Sequence, residues 1–202
     1  MRADARRNYD HVLAVARTVL TEQGADASLR DVARRADVGL GTLYRHFPTR
    51  EALLEALLRT SFDKLAAEAA ELELSSSPRP ALVAWLRDCV AFTHEYRGVI
   101  SPMVAAIEEP ESALHASCVT MRAAGTRLLS RAQNAGVARS DIDGVDLFAL
   151  IAALAWLNDQ PSTAPRACHL MDVIADAILT GPVRDDDDVA PSPPPTGQSP
   201  RG

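Results

Sequence analysis

Residues 28–54 concentrate side chains that donate hydrogen bonds to anions: Arg30, Arg34, Arg35, Arg45 and Arg50, with Thr42, Tyr44 and His46 among them. Guanidinium groups grip phosphates and guanine edges at two points, and hydroxyl and imidazole groups supplement them, so the set suits recognition of a nucleic acid. It does not suit catalysis. The chain has no Gly-rich phosphate loop, no G-x-S-x-G elbow and no paired carboxylates beside a loop histidine. His115 and Cys118 share a helical face and Cys168 precedes His169, yet no C-x-x-C or H-x-x-x-H spacing supplies the four converging ligands of a zinc site. The expectation is a binding protein that is not an enzyme and holds no metal or cofactor.

Two short helices must position these donors. Ser28 and Asp31 fit the S-x-x-[DE] capping box, which starts a helix at Ser28. Val32, Ala33 and Ala36 give that helix a narrow apolar face on which small Ala33 lets a second helix cross closely; Arg30, Arg34 and Arg35 lie mostly off it, free for phosphates. A tight corner follows from Asp37 to Gly39. The second helix carries Leu40 to His46, with Leu43 and Phe47 inward and Leu40, Thr42, Tyr44, Arg45 and His46 largely outward as a reading surface. Pro48 stops it, and Thr49 caps the next helix with Glu51 in its first turn. The arrangement is a helix-turn-helix followed by a connecting helix.

The run V-G-L-G-T-L-Y-R-H-F-P-T-R-E-A-L-L, Val38 to Leu54, resembles the DNA-binding signature of the TetR family of bacterial transcriptional regulators. The likeness covers roughly the first fifty to sixty residues; beyond them only length and helical character agree. Asp37 stands where the family commonly has Gly, Gly39 where a Ser or Thr cap is frequent, and Arg50 where Lys is usual. The resemblance implies that Ser28, Arg30, Leu40, Thr42, Tyr44, Arg45, His46, Thr49 and Arg50 meet double-stranded DNA, with Tyr44 and His46 chiefly at phosphates. It also implies an all-α chain: an N-terminal three-helix head, residues 1–48, joined by a long helix to a C-terminal helical ligand-binding and dimerisation body, residues 49–181. A homodimer on a palindromic operator and a small-molecule effector complete the implied picture.

Composition agrees with an all-helical protein. Of 202 residues, 47% are hydrophobic but only 4% aromatic, so the interior is built from Ala, Leu and Val. The net charge of −6 argues against nucleic acid until its distribution is read: residues 1–50 hold nine arginines against six acids, whereas residues 51–202 hold 12 basic residues against 21 acids. Lys64 is the only lysine. Cys89, Cys118 and Cys168 are odd in number and far apart within helical segments, which fits a reduced cytoplasm rather than a disulfide framework. The N-terminus lacks the apolar core of a signal peptide. The longest apolar run, Leu147 to Leu157, is eleven residues and too short to span a bilayer.

Periodicity predicts the remaining elements. An arginine arm, Met1–Arg7, precedes helix one, whose Val12, Leu13, Ala16, Val19 and Leu20 step at three and four until Gly24. Helix four runs from Thr49 to about Leu74, and Ser75 to Pro80 break the chain. Helices follow over Ala81–Arg97, Val99–Ile107, from Glu111 or Ser112 to Gly136, from Asp143 to before Pro161, and from about Pro165 to Thr180. The segment Pro182–Gly202, rich in Asp, Pro and Ser, reads as a disordered tail. A helix apolar on every side must be covered on every side; the resemblance implies that a second copy does so, with Leu147, Ile151, Leu154, Leu170, Ile174, Ala177 and Ile178 at the dimer interface, and the alternative is a central core helix of a monomer.

Candidates for the implied effector pocket are Phe62, Trp85, Cys89, Phe92, Tyr96, Met103, Ile107, His115, Cys118, Met121, Phe148 and Asn158. The scarcity of charge among them points to a small effector, mainly apolar and neutral. The expected function is a ligand-responsive transcriptional regulator, a repressor, that leaves its operator when the effector tilts helix four. The alternative is a constitutive DNA-binding or partner-docking factor with no effector. A cavity of a few hundred Å³ in the body would favour the first reading.

Overall fold

The computed structural model describes residues 2–24, 27–74, 77–96, 99–100 and 103–179, with side chains described for all of these except 2–5, 158 and 159. The Pro182–Gly202 tail and the Asn158 side chain lie outside the described residues.

The first helix, α1, spans Arg2–Gln23 and ends where Gly24 takes a φ of +60°, a left-handed conformation that glycine adopts without steric cost. Arg2, Arg6 and Arg7 therefore belong to a helix and not to an extended arm. The reason is local: R-A-D-A-R-R combines good helix formers with Asp4 in the favourable first turn. Helix α2, Leu29–Arg35, opens on the Ser28 cap: Ser28 Oγ accepts from the Asp31 N–H at 3.1 Å, and the acid answers the Ser28 hydroxyl, which donates to its carboxylate at 2.5 Å. At the corner Asp37 takes a φ of +53°, and the Val38 N–H closes the turn onto the Ala33 carbonyl. The chain accepts that left-handed residue because Asp tolerates it better than most.

Helix α3, Leu40–His46, has no side-chain cap at Gly39 and closes with the Phe47 N–H on the Leu43 carbonyl at 2.8 Å. Thr49 then caps α4, Arg50–Glu73, by accepting from the Ala52 N–H at 3.1 Å. Helices α1 to α3 close over Val12, Ala16, Val19, Leu20, Val32, Ala33, Leu43 and Phe47, all buried.

Helix α4 continues out of the head and packs along α7 and α5, which makes it the shared spine of head and body. Helix α5, Pro78–Glu95, begins three residues earlier than expected because Pro78 sits in its first turn, where a missing N–H costs nothing. Helix α6 is reduced to Val104–Glu108, and α7 covers Ala113–Asn134 behind a Ser112 cap. Helix α8, Gly144–Asp159, starts on a complete capping box: Asp143 accepts from the Val145 and Asp146 N–H groups, and Asp146 accepts from the Asp143 N–H at 3.1 Å. A single 3₁₀ turn, Ala164–Arg166, leads into α9, Ala167–Ile178. The described residues form no strand beyond an isolated antiparallel bridge from Ala138 to Leu179.

The apolar helix α8 is covered differently from the expectation. Leu147, Leu154 and Ile178 are buried inside the subunit, in the seam of α5, α8 and α9, where they meet Leu86, Met171 and Ala175. Ile151, Leu170 and Ile174 are half-buried against the same core, and of the seven residues assigned to the dimer face only Ala177 is exposed. The outward stripe of α8 is instead Val145, Ala149, Ala153 and Trp156, at steps of three and four. A uniformly apolar helix gives no phase, so the pattern alone selected the inward face.

Candidate DNA interface and effector cavity

Leu43 and Phe47 anchor α3, and their burial turns the opposite side of the helix to solvent: Tyr44 is 46% exposed, Arg45 is exposed, and Thr42 is half-buried at the edge. Arg45 lies back along its own helix, with Nε donating to the Gly41 carbonyl at 3.3 Å and Nη2 reaching Thr42 Oγ1 at 3.4 Å. Leu40 is half-buried and packs against the head core rather than standing free. His46 is half-buried too, its ring edge-on to Tyr9 of α1 with centroids 5.9 Å apart, while Tyr9 also stacks obliquely on Phe47 at 5.0 Å. Tyr9 is thus the aromatic brace that aims the end of α3. Its signal in the sequence was an aromatic residue one turn before the apolar positions of α1.

The remaining candidates divide by what already holds them. Arg30 and Thr49 are exposed. Arg34 pairs with Asp31 at 2.9 Å and Arg35 with Glu22, so two of the three arginines expected to be free carry counter-ions. The Ser28 hydroxyl is used by the α2 cap on both sides. Arg50 is half-buried, and its Nε donates to the Ala27 carbonyl at 3.1 Å, tying the approach to α2 onto the start of α4. Ser28 and Arg50 therefore shape the head.

A cavity of about 120 Å³ opens between α4, α5, α7 and α8. Phe62, Cys89, Phe92, Ile107, Cys118, Met121 and Phe148, seven of the twelve expected pocket residues, line it together with Leu65, Thr93, Ile100, Arg122, Ile151, Ala152 and Ala155. Four others do not, for identifiable reasons. Trp85 is fully buried, its indole N–H donating to the Leu65 carbonyl at 2.9 Å. Tyr96 is buried with its hydroxyl 2.9 Å from Ser61 Oγ. Met103 is core, and half-buried His115 places Nδ1 2.8 Å from the Ile107 carbonyl, pinning α6 to α7.

Burial pushes the Cys89 thiol well above its ordinary range, and it raises Cys118 as well, against a downward pull from Arg122. Neither thiol is a nucleophile at neutral pH, and both act as small apolar wall atoms. Arg122 and Gly125 escaped the sequence reading. Arg122 supplies a charge at the cavity rim, and Gly125 is the notch in α7 that admits Trp85: an added Cβ would lie 2.2 Å from Trp85 Cη2. The readable signal was a lone glycine inside a periodic helix.

Residues 12–57 match the family described as bacterial regulatory proteins, tetR family, and residues 77–180 match the C-terminal domain of SbtR-like transcriptional regulators. The chain belongs to the TetR family. Its helix-turn-helix head and helical body are those of TetR-family transcriptional regulators, which bind DNA and are not enzymes. A TetR transcriptional regulator from Streptomyces coelicolor, SCO0520, is 36% identical, with a TM-score of 0.66 over 84% of this chain and 97% of that one. The TetR regulatory protein of Mycobacterium vanbaalenii is 31% identical, with a TM-score of 0.66 over 89% of this chain and 99% of that one. The HTH-type regulator SAR0097 of Staphylococcus aureus is 33% identical over 82 residues, 39% of this TetR-family chain, which spans 42% of that relative's length. Among the described residues no helix is long and apolar enough to cross a membrane.

Proposed function

We propose that this TetR-family regulator is a homodimeric repressor that holds a palindromic operator and is released by a small, mainly apolar effector. Residues 1–48 are the DNA-binding domain and residues 49–181 the regulatory and dimerisation domain. The observation that carries this reading is the place of the cavity: Phe62 and Leu65 in its wall belong to α4, the same helix that begins at Arg50 directly behind α3. A ligand that wedges between α4 and α7 displaces the spine on which the head rides. Release needs only a differential of about 1.4 kcal/mol between operator-bound and released geometries for each tenfold loss of affinity.

Tyr44, Arg45, Thr42, Arg30 and Thr49 are the contact set, the first four placed by the buried anchors beneath α3 and α2. Dimerisation is supported by the outward stripe of α8, with Val145 77% and Trp156 62% exposed, beside Val173 and Ala177 on α9. Stranding two large apolar residues in water is unfavourable unless a second copy covers them. The second reading, a constitutive factor without effector, is disfavoured by the cavity, although 120 Å³ is smaller than the few hundred Å³ expected.

The test is fluorescence anisotropy on palindromes drawn from the DNA flanking the gene. The full-length dimer binds one of them with an affinity that falls steeply with salt, and Tyr44→Ala weakens binding to every sequence. Full affinity in Tyr44→Ala overturns the assignment of α3.

A further inference from the structure

The effector expected from the sequence was neutral, and the wall of the cavity argues otherwise. Arg122 is the one charged side chain among the cavity-lining residues. Its guanidinium carbon stands 5.7 Å from the centroid of the Phe148 ring, and Phe148 is braced edge-on against buried Trp85 at 5.9 Å, so the cation rests on a fixed aromatic plate. The only polar neighbour it engages among the described residues is the thiol of Cys118, one helical turn back on α7, which is no counter-ion. The arginines of the body with acidic partners behave differently: Arg127 pairs with Glu73, Arg139 with Asp141 and Arg87 with Asp172. Arg122, exposed at the cavity mouth, alone among these lines the apolar cavity, and among the described residues no carboxylate stands against it.

Resting on the reading of this cavity as an effector site, we infer that the effector is a small monoanion: a carboxylate on one aromatic ring or compact branched hydrocarbon. The carboxylate takes the two parallel donors of Arg122 at the rim. The hydrocarbon enters between Phe92, Phe62 and Met121. Volume sets the size, since an apolar cavity of about 150 Å³ accommodates benzene, so 120 Å³ holds one small ring or its equivalent and leaves the charged end outside the apolar part. The apolar body then confers affinity, while the charge selects among molecules of the same shape.

The probes are sodium benzoate and its neutral isostere benzyl alcohol, titrated into the full-length wild-type protein by calorimetry. The variants are Arg122→Gln, Arg122→Lys and the cavity-filling Ala155→Phe, each first checked for an unchanged helical circular-dichroism spectrum. The expected result is about tenfold tighter binding of benzoate than of benzyl alcohol, a preference abolished in Arg122→Gln and partly restored in Arg122→Lys. Equal affinity of the two probes, with both lost in Ala155→Phe, overturns the anion inference and leaves the cavity standing as an effector site. No binding of either probe, or binding untouched by Ala155→Phe, overturns both.

Discussion

Arg17 of α1 and Glu95 in the last turn of α5 form a two-point ion pair, with Nη2 to Oε2 at 2.6 Å and Nε to Oε1 closer still. The pair bridges 78 residues of sequence and is a polar tie from the head to a body helix other than α4. The carboxylate holds Arg17 firmly charged, above its already high ordinary range. Behind it Tyr96, the next residue on α5, is fixed to Ser61 of α4.

Removing this tie should cost little stability and much coupling. The side chains are 44% and 22% exposed, so solvent screens the pair and Arg17→Ala lowers the melting temperature by about 1–3 °C. Glu95→Gln does the same, and the double variant adds nothing further. The informative measurement is the ratio of operator affinities with and without effector. It shrinks in both single variants if the head is steered through α5 as well as α4, and an unchanged ratio would leave α4 as the sole lever.

Arg50 and Arg45 separate a structural from a contacting arginine. Arg50→Ala leaves the Ala27 carbonyl without its side-chain donor, and the melting temperature of the DNA-free protein falls by about 2–4 °C, the effect of roughly one lost hydrogen bond in a chain this size. Arg45→Ala leaves melting unchanged because its bonds are long and confined to its own helix. On operator DNA, Arg45→Ala lowers the slope of log affinity against log salt by about one. The opposite assignment, with Arg45 stabilising and Arg50 inert in the melt, would contradict the geometry of both side chains.

Trp156→Glu tests the outward face of α8. With the indole 62% exposed in the subunit, the substitution perturbs no internal packing, and the melting curve of the subunit body changes little. A charge in the centre of an apolar contact between copies is unfavourable, so light scattering after size exclusion should report a monomer. Operator affinity then falls by about a hundredfold or more, since one head loses the effective concentration supplied by its twin. Retention of the dimer would place the contact elsewhere.

At Gly125 two effects oppose each other, and their magnitudes decide. Alanine is favoured over glycine in a helix interior by about 1 kcal/mol. The new Cβ, however, would lie 2.2 and 2.6 Å from Trp85 ring atoms and 3.0 Å from Phe148, and Trp85 is fully buried with nowhere to move. Overpacking of this kind costs about 1–3 kcal/mol, so Gly125→Ala is destabilising on balance, and Trp85→Phe in the same chain recovers part of the loss. Thermal melts of the wild type and the two variants measure it.

The head was legible because its signals are local. Ser28 with Asp31, the left-handed Asp37, Leu43 four residues before Phe47, and Thr49 after Pro48 each fix their own turn, and each stands where the sequence put it. What was missed depends on distant partners: the Arg50 bond to Ala27, the Tyr9 brace on His46 and the Arg17 tie to Glu95 join residues 23 to 78 apart with no spacing rule to announce them. In the body, Phe62, Cys89, Phe92, Cys118 and Phe148 were found at the cavity because apolar and polarizable residues mark an interior. Arg122 was passed over because a charge on a helix ordinarily faces water. The phase of α8 was unreadable for the opposite reason, since its run from Leu147 to Leu157 has no polar residue to set one.

Two carboxylates give the acid limb of stability opposite signs. Burial, then repulsion from Glu68, holds Asp88 above its ordinary value of 3.8, with Lys64 pulling partly the other way. The folded state therefore resists ionising Asp88 more than the unfolded state does, and stability declines as pH rises from 3.8 through the raised value, then levels off. Asp88→Asn has no such decline: its melting temperature matches the wild type below about pH 3.8 and exceeds it at neutral pH, by an increment on the order of 1–2 °C because the site is open to solvent. Asp141 behaves in the reverse sense, held down at about 2 by Arg139, so the contribution of that pair is full above 3.8 and fades as pH falls through 2. Asp141→Asn is accordingly the less stable variant at neutral pH and indistinguishable from wild type below pH 2. Melts recorded from pH 2 to 7 separate the two, and an Asp88→Asn melting temperature that falls below the wild type as pH rises would mean that Lys64 rather than burial governs Asp88.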